Sequence, residues 1–509
     1  MASSPHGFAE ACRYVKPVAR LSLRTLKHVP ESVRRPTFDV TRLQPGILHL
    51  GCGVFHRAHQ ALFTQRAIEF ERTAEPGAWG IIGASLVTPT LRDALKPQDG
   101  LYTLLERGTD SIQAEIIGTL RDISFVPEDP AALFARFADP AIHIVTLTVT
   151  AEAYCLDPNT GRLCTNHPSI LRDLRSCTPS SAVGVLVRGL AASRAAGRPP
   201  PVILSCDNLP ANGRMLRQAA VDYAALYNDS LSAWIDNSVQ FPCTMVDRIV
   251  PTSTETDRQD AAGMLKLEDA TPVSAEPYRQ WVIERFEGPR PRWEAAGAEF
   301  VSDVEVWETS KLRLLNGTHM AIAYLGSLIG LETVADFVSD PVRAAYTAQF
   351  MLREQMPTLS SSGHDIPAYA HQLLGRWRNP AVAHQLSRIA RNGSQKLAAR
   401  LLVPLRENLQ AGRPAPCTFL AIAAWIRCTT GYGLLNGGRH VRDPLAEHMR
   451  RVGEAAGGNQ DRLLASVLQL EEVFGKDLPH REPFRAGLSK ALDNLQRQGT
   501  YAAIAACLV

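Results

Sequence analysis

The chain has 509 residues, 45% of them hydrophobic, with 54 basic against 51 acidic side chains for a formal net charge of +3. That length can bury more than one core and points to two or three domains, and the near balance of charge gives no electrostatic reason for a nucleic acid or an acidic membrane as partner. Ten cysteines without CxxC spacing exclude a disulfide scaffold and read as reduced, mostly buried thiols. The basic N-terminal stretch has no apolar core of signal-peptide length and no later run is long enough to span a bilayer, so the expectation is a cytoplasmic enzyme acting on a small molecule.

In chain order, Gly46–Leu50 is a short apolar run that stops at a glycine turn, Gly51-Cys-Gly-Val-Phe-His-Arg-Ala-His59, after which Gln60–Glu71 has helical character. Trp79–Leu86, Ile142–Val149 and Val202–Cys206 read as further buried strands. Strands alternating with helices imply a parallel sheet. Arg198-Pro-Pro-Pro201 is a stiff connector, and Gly288-Pro-Arg-Pro-Arg292 is a second break that approaches a domain boundary. Beyond about residue 305 the pattern turns to long amphipathic stretches, 311–330, 341–356, 367–403 and 416–430. The expected fold is therefore α/β: a Rossmann-type domain over residues 1–305, then a mostly helical domain over 306–509.

A glycine turn between a first strand and its helix lets the backbone approach a pyrophosphate, whose charge the helix N-terminus favours. Gly51 and Gly53 supply such a turn, although His56 stands where a third glycine would fall. The adenosine ribose is read after the second strand, where Ser85-Leu-Val-Thr-Pro-Thr90 carries neither sign of charge, so NAD and NADP are both open. Arg92 and Asp93 just beyond read as a surface pair on a helix. Asn208 follows the strand Val202–Cys206, at the end that faces a ligand crevice in such sheets. Its amide could donate to an alkoxide, or Asp207 and Asn208 could simply turn the chain before Pro210.

In Trp307–His319, at roughly 100° per residue, Glu308, Lys311, Leu315, Asn316 and His319 fall within an arc of about 140° of one helix face. A lysine half-buried there would lose charge stabilisation, and its pKa would drop toward the working pH, as a general base needs. The bland reading is a set of surface polar groups beside an apolar stripe.

Taken together, Gly51-x-Gly-x-Phe-His-Arg-Ala-His59, Thr148-Val-Thr150 with Tyr154-Cys155, Ser205-Cys-Asp-Asn208, Met245-Val-Asp-Arg-Ile249, Lys311-x-x-x-x-Asn-x-x-His319, Asn392-Gly-Ser-Gln-Lys396 and Asp443-Pro-Leu-Ala446 resemble the polyol-specific long-chain dehydrogenases over nearly the whole chain. The resemblance implies metal-independent, NAD- or NADP-linked oxidation of a sugar alcohol to a ketose in a site between the domains. It implies Lys311 as acid and base, Asn208 and Asn316 as the pair that stabilises the alkoxide, and Glu308 as the carboxylate that relays protons. His319, Asp247, Arg388 and Lys396 match positions that contact the substrate or organise the site, and Gly51, Gly53, Phe55, His56 and Arg57 match the dinucleotide motif. Ala151, Ala153 and Asn392 depart from the family's usual Glu, Gly and Asp. A monomer or weak homo-oligomer is expected. Reduction of a hexuronate such as fructuronate or tagaturonate is the alternative, because that branch shares the same framework, and a dinucleotide sensor without turnover is a third reading.

Overall fold

The computed structural model describes residues 19–71, 79–157, 160–176, 178–360, 364–432 and 441–508. Its centre is a five-stranded parallel sheet in the order Leu120–Phe125, Gly80–Ser85, Pro45–Leu50, Ile144–Leu147, Val202–Ser205. The four central and later strands are apolar runs buried on both faces, as a parallel sheet covered by helices requires. Strand order reverses between Pro45–Leu50 and Ile144–Leu147, which opens a crevice at their carboxyl ends. Two three-stranded sheets flank it: Glu299–Val301, Gln280–Glu284 and Thr244–Asp247 form one, and Ile112–Ile117, Tyr102–Arg107 and Val273–Ala275 the other.

From Glu305 onward the named elements are all helical, around a core built on Thr318–Leu328 and Pro416–Thr430. Every residue from Cys417 to Thr430 is buried, so this helix is enclosed on all sides. Among the described residues no helix is long and apolar enough to cross a membrane. Cys12 and Cys177 lie outside the described residues; the other eight cysteines are free thiols, and all but Cys164 are buried.

Three expectations need correction. The glycine turn is shorter than expected, because helix Val54–Ala58 lies within the stretch 51–59; helix Gln60–Glu71 follows with the expected bounds beyond a break at His59 (φ −125°, ψ −85°). The stretch 367–403 is not continuous: helix Ile366–Trp377 stops before Asn379-Pro380, where proline disfavours helical backbone in the residue ahead of it, and Asn392 takes a left-handed conformation (φ 54°) before Gly393–Leu397. Finally, Lys311–Gly317 is a π-helical segment inside an otherwise α-helical run from Glu305 to Leu328. Its i→i+5 bonding replaces the 100° step, so the helical-wheel arc does not describe this face.

Candidate active site

The glycine turn closes the central strand at the point where strand order reverses. Gly51 has φ +86°, and a Cβ there would lie 2.4 Å from the Thr148 carbonyl oxygen, so neither the backbone nor the space admits a side chain. Gly53 precedes helix Val54–Ala58, and a Cβ on it would meet nothing nearer than 3.8 Å. An exposed glycine backbone opening into the crevice fits the close approach of a dinucleotide pyrophosphate. The neighbouring motif residues divide: Phe55 lines the crevice, whereas His56 and Arg57 are buried. His56 stacks on His49 with ring centroids 3.4 Å apart, and Arg57 donates to the Thr271 carbonyl at 2.6 Å. Burial lowers the His49 pKa to about 3 and that of His56 well below its usual value, which keeps both rings neutral.

Asn208 stands just past strand Val202–Ser205, in a turn held by Asn212, whose Nδ2 donates to the carbonyls of Ser205, Asp207 and Thr244 at 3.1, 3.0 and 2.9 Å. Asp207 does turn work of its own: its Oδ2 accepts from Tyr154 Oη at 2.7 Å and from the Val149 N–H at 3.1 Å. Burial raises the Asp207 pKa to about 6. Asn208 itself is left exposed to the crevice, where its Oδ1 accepts from Lys311 Nζ.

Lys311 is only 8% exposed and donates also to the Val246 carbonyl at 2.5 Å. Burial drives its pKa down from 10.5 to about 8; Asp247 and Glu308 oppose the shift, while Arg376 and Arg400 add to it. Asn316 is half-buried, and its side-chain amide has no hydrogen-bond partner among the described residues. Glu308 accepts from the Ala211 N–H at 3.1 Å through Oε2, and burial raises its pKa. His319 Nε2 accepts from Trp377 Nε1 at 2.7 Å, and burial holds its pKa well below the usual value, so the neutral ring carries its proton on Nδ1.

These groups enclose two adjoining spaces. A cavity of about 280 Å³ is lined by Asn208, Asp247, Lys311, Asn316, His319 and Arg388, and a smaller one of about 120 Å³ by Asp207, Asn208, Glu308, Lys311 and Asn316. Lys311, Asn208 and Asn316 therefore form the wall between them. A roomier cleft of about 620 Å³ lies among the C-terminal helices, from Asp461 to Arg485, and contains none of these groups.

Asp247 reaches the cavity, but both its oxygens are engaged: Arg376 Nη1 and Nη2 donate to them at 2.7 and 2.9 Å, and Tyr369 Oη donates at 3.0 Å. Burial alone would raise its pKa, yet pairing with Arg376 holds it below the usual carboxylate range. Arg388 is exposed at the cavity edge and donates to Thr252 Oγ1 at 2.6 Å. Lys396 is not among the cavity-lining residues; its Nζ donates to the Arg391 carbonyl at 2.5 Å, and burial lowers its pKa to about 8. Sequence reasoning missed Tyr369, Arg376, Trp377 and Arg400. Their residue types sit in stretches that read as ordinary amphipathic helix, and the one available signal was an arginine and two aromatics on a single face of 366–377.

Residues 45–295 match the family model of the mannitol dehydrogenase Rossmann domain, and residues 303–496 that of the mannitol dehydrogenase C-terminal domain. The chain belongs to the mannitol dehydrogenase family. It is 40% identical over 481 residues to D-mannonate oxidoreductase of Escherichia coli, covering 93% of this chain and 98% of that protein. It is 36% identical over 503 residues to mannitol 2-dehydrogenase of Pyrenophora tritici-repentis, covering 97% and 87%. The solved ternary complex of Pseudomonas fluorescens mannitol 2-dehydrogenase with NAD and D-mannitol superposes with a TM-score of 0.85 at 33% identity, covering 96% of this chain and 99% of that one. The family's two-part build, a parallel-sheet domain followed by a helical one, is the build of this chain.

Proposed function

We propose that the protein catalyses reversible oxidation of a secondary alcohol on a sugar alcohol to a ketone, with NAD or NADP as partner and Lys311 as general acid and base. In this reading residues 1–305 hold the dinucleotide and 306–509 complete the substrate site. The observation that carries it is the buried Lys311 amine, its pKa lowered to about 8, on the wall of the 280 Å³ cavity beside two asparagine amides. A dinucleotide held at the Gly51 turn supplies the hydride acceptor. Neutral Lys311 takes the hydroxyl proton. Asn208 uses Oδ1 to accept from Lys311, so its Nδ2–H₂ is left to donate to the developing alkoxide, and Asn316 offers the second amide. Each positioned donor of this kind contributes about 2.7 to 4 kcal/mol, and general acid–base help about 10²- to 10⁴-fold. Glu308, on the far side of the wall, where burial raises its pKa, passes the proton from Lys311 outward. Among the described residues no three His, Cys, Asp or Glu side chains stand close enough to hold a metal ion.

A second reading, reduction of a hexuronate to an aldonate, is favoured by a different observation. Arg388 at the cavity edge pairs with no carboxylate among the described residues, and a carboxylate substrate would answer it. The relative named D-mannonate oxidoreductase supports it equally. Initial rates with NADH and NADPH against fructose, xylulose, ribulose, fructuronate and tagaturonate, with Lys311→Ala alongside, separate the two. Turnover of neutral ketoses that vanishes in the variant is the expected result; turnover confined to uronates selects the second reading. Cofactor binding without turnover of any of them would contradict both and leave a sensor.

A further inference from the structure

Helix Ile366–Trp377 supplies none of the motif residues, yet three of its side chains, at i, i+7 and i+8 and so on one face, grip the site. Tyr369 and Arg376 hold Asp247, and Trp377 holds His319. Arg376 does more than pair with Asp247. Its Nε and Nη2 also donate to Glu276 at 2.9 and 2.7 Å, and its guanidinium lies 4.1 Å from the Tyr278 ring centroid. The side chains of Arg376, Asp247 and Glu276 are 6%, 2% and 4% exposed. One guanidinium thus binds two acids in a buried cluster, and one of them, Asp247, lines the same cavity as Lys311.

Such a cluster is weak evidence for stability, since desolvation can cancel the attraction of buried charges. Its position suggests another use. The groups that bear on Lys311 are the acids Asp247 and Glu308, which favour the ammonium, and the cations Arg376 and Arg400, which disfavour it; His59 and His319 are buried and neutral. Among these, Asp247 opposes the drop most strongly, and Arg376 is the group that grips Asp247.

We propose that Arg376 is a positioning residue for the reaction: by gripping Asp247 and Glu276 together it fixes how much of the Asp247 charge reaches Lys311, and so sets the pH at which Lys311 exchanges its proton. The inference rests on Lys311 being the base. Neutral Lys311 is the active form for alcohol oxidation, so kcat in that direction rises with pH through the Lys311 titration.

The test is kcat for oxidation as a function of pH. Arg376→Met leaves two acids without their cation and moves the rising limb upward, whereas Glu276→Gln removes an acid and moves it downward; Arg376→Lys restores part of the shift. Opposite shifts are not expected of a merely structural ion pair, which would lower kcat without moving the limb. Should Arg376→Met fail to fold, the near-isosteric Glu276→Gln carries the test alone. A limb lost in Lys311→Ala but unmoved by Glu276→Gln and by any folded Arg376 variant overturns the proposal. A limb that persists in Lys311→Ala overturns instead the assignment of the base.

Discussion

On the sheet side of the cavity, Asn208 and Asp247 stand where strands Val202–Ser205 and Thr244–Asp247 end, and their places follow from ladder bonds and from the three bonds of Asn212. On the helical side, Lys311 and Asn316 lie five residues apart within a π-helical segment, where the position of each depends on register along one helix. The first arrangement is local and redundant; the second is set by a single irregularity. Lys311 draws both its partners, Asn208 Oδ1 and the Val246 carbonyl, from the sheet side. The setting of Lys311 therefore exists only where the two sides dock, and Arg376 on Asp247 is a bond across that junction.

Loss of function from either side should differ in kind. On the helical side, Asn316→Ala removes an amide with no structural partner, so kcat should fall about 10²- to 10³-fold with the melting temperature unchanged; a large drop in melting temperature would show that the amide has a packing role. On the sheet side, Gly51→Ala forces a Cβ to within 2.4 Å of Thr148 O at φ +86°. The strain, about 1 to 3 kcal/mol, should appear as weaker cofactor binding, of order ten- to a hundredfold, together with a lower melting point. Titration of cofactor against the variant and a thermal melt check both, and unchanged cofactor affinity would remove the turn from the binding site.

The same contrast explains what the sequence made legible. Gly46–Leu50 and Val202–Cys206 are mostly apolar runs, interrupted by His49 and Ser205, as strands buried on both faces tend to be. The edge strand Leu120–Phe125 carries Arg121, Asp122 and Ser124, has only Leu120 and Ile123 buried, and gave no comparable signal. Gly51 announced itself because the turn tolerates nothing else. The segment Lys-Leu-Arg-Leu-Leu-Asn-Gly reads as ordinary α-helix, since residue types do not encode a one-residue change of register, although Lys311, Leu315 and Asn316 still line one cavity. His56 and Arg57 fit the dinucleotide motif by position, but their side chains pack against His49 and Thr271, a direction that spacing cannot reveal. Arg376 was invisible for a related reason: its partners Asp247 and Glu276 lie about a hundred residues or more away in sequence.

In the proposed reaction the strand-end amide and the helical lysine act as one unit. A double-mutant cycle on kcat for alcohol oxidation, with Lys311→Ala, Asn208→Ala and the pair, tests it directly. Each single change should cost about 10²-fold or more, and the double variant should be little worse than the poorer single one. Losses that multiply would mean that the two residues work independently, and would contradict the account.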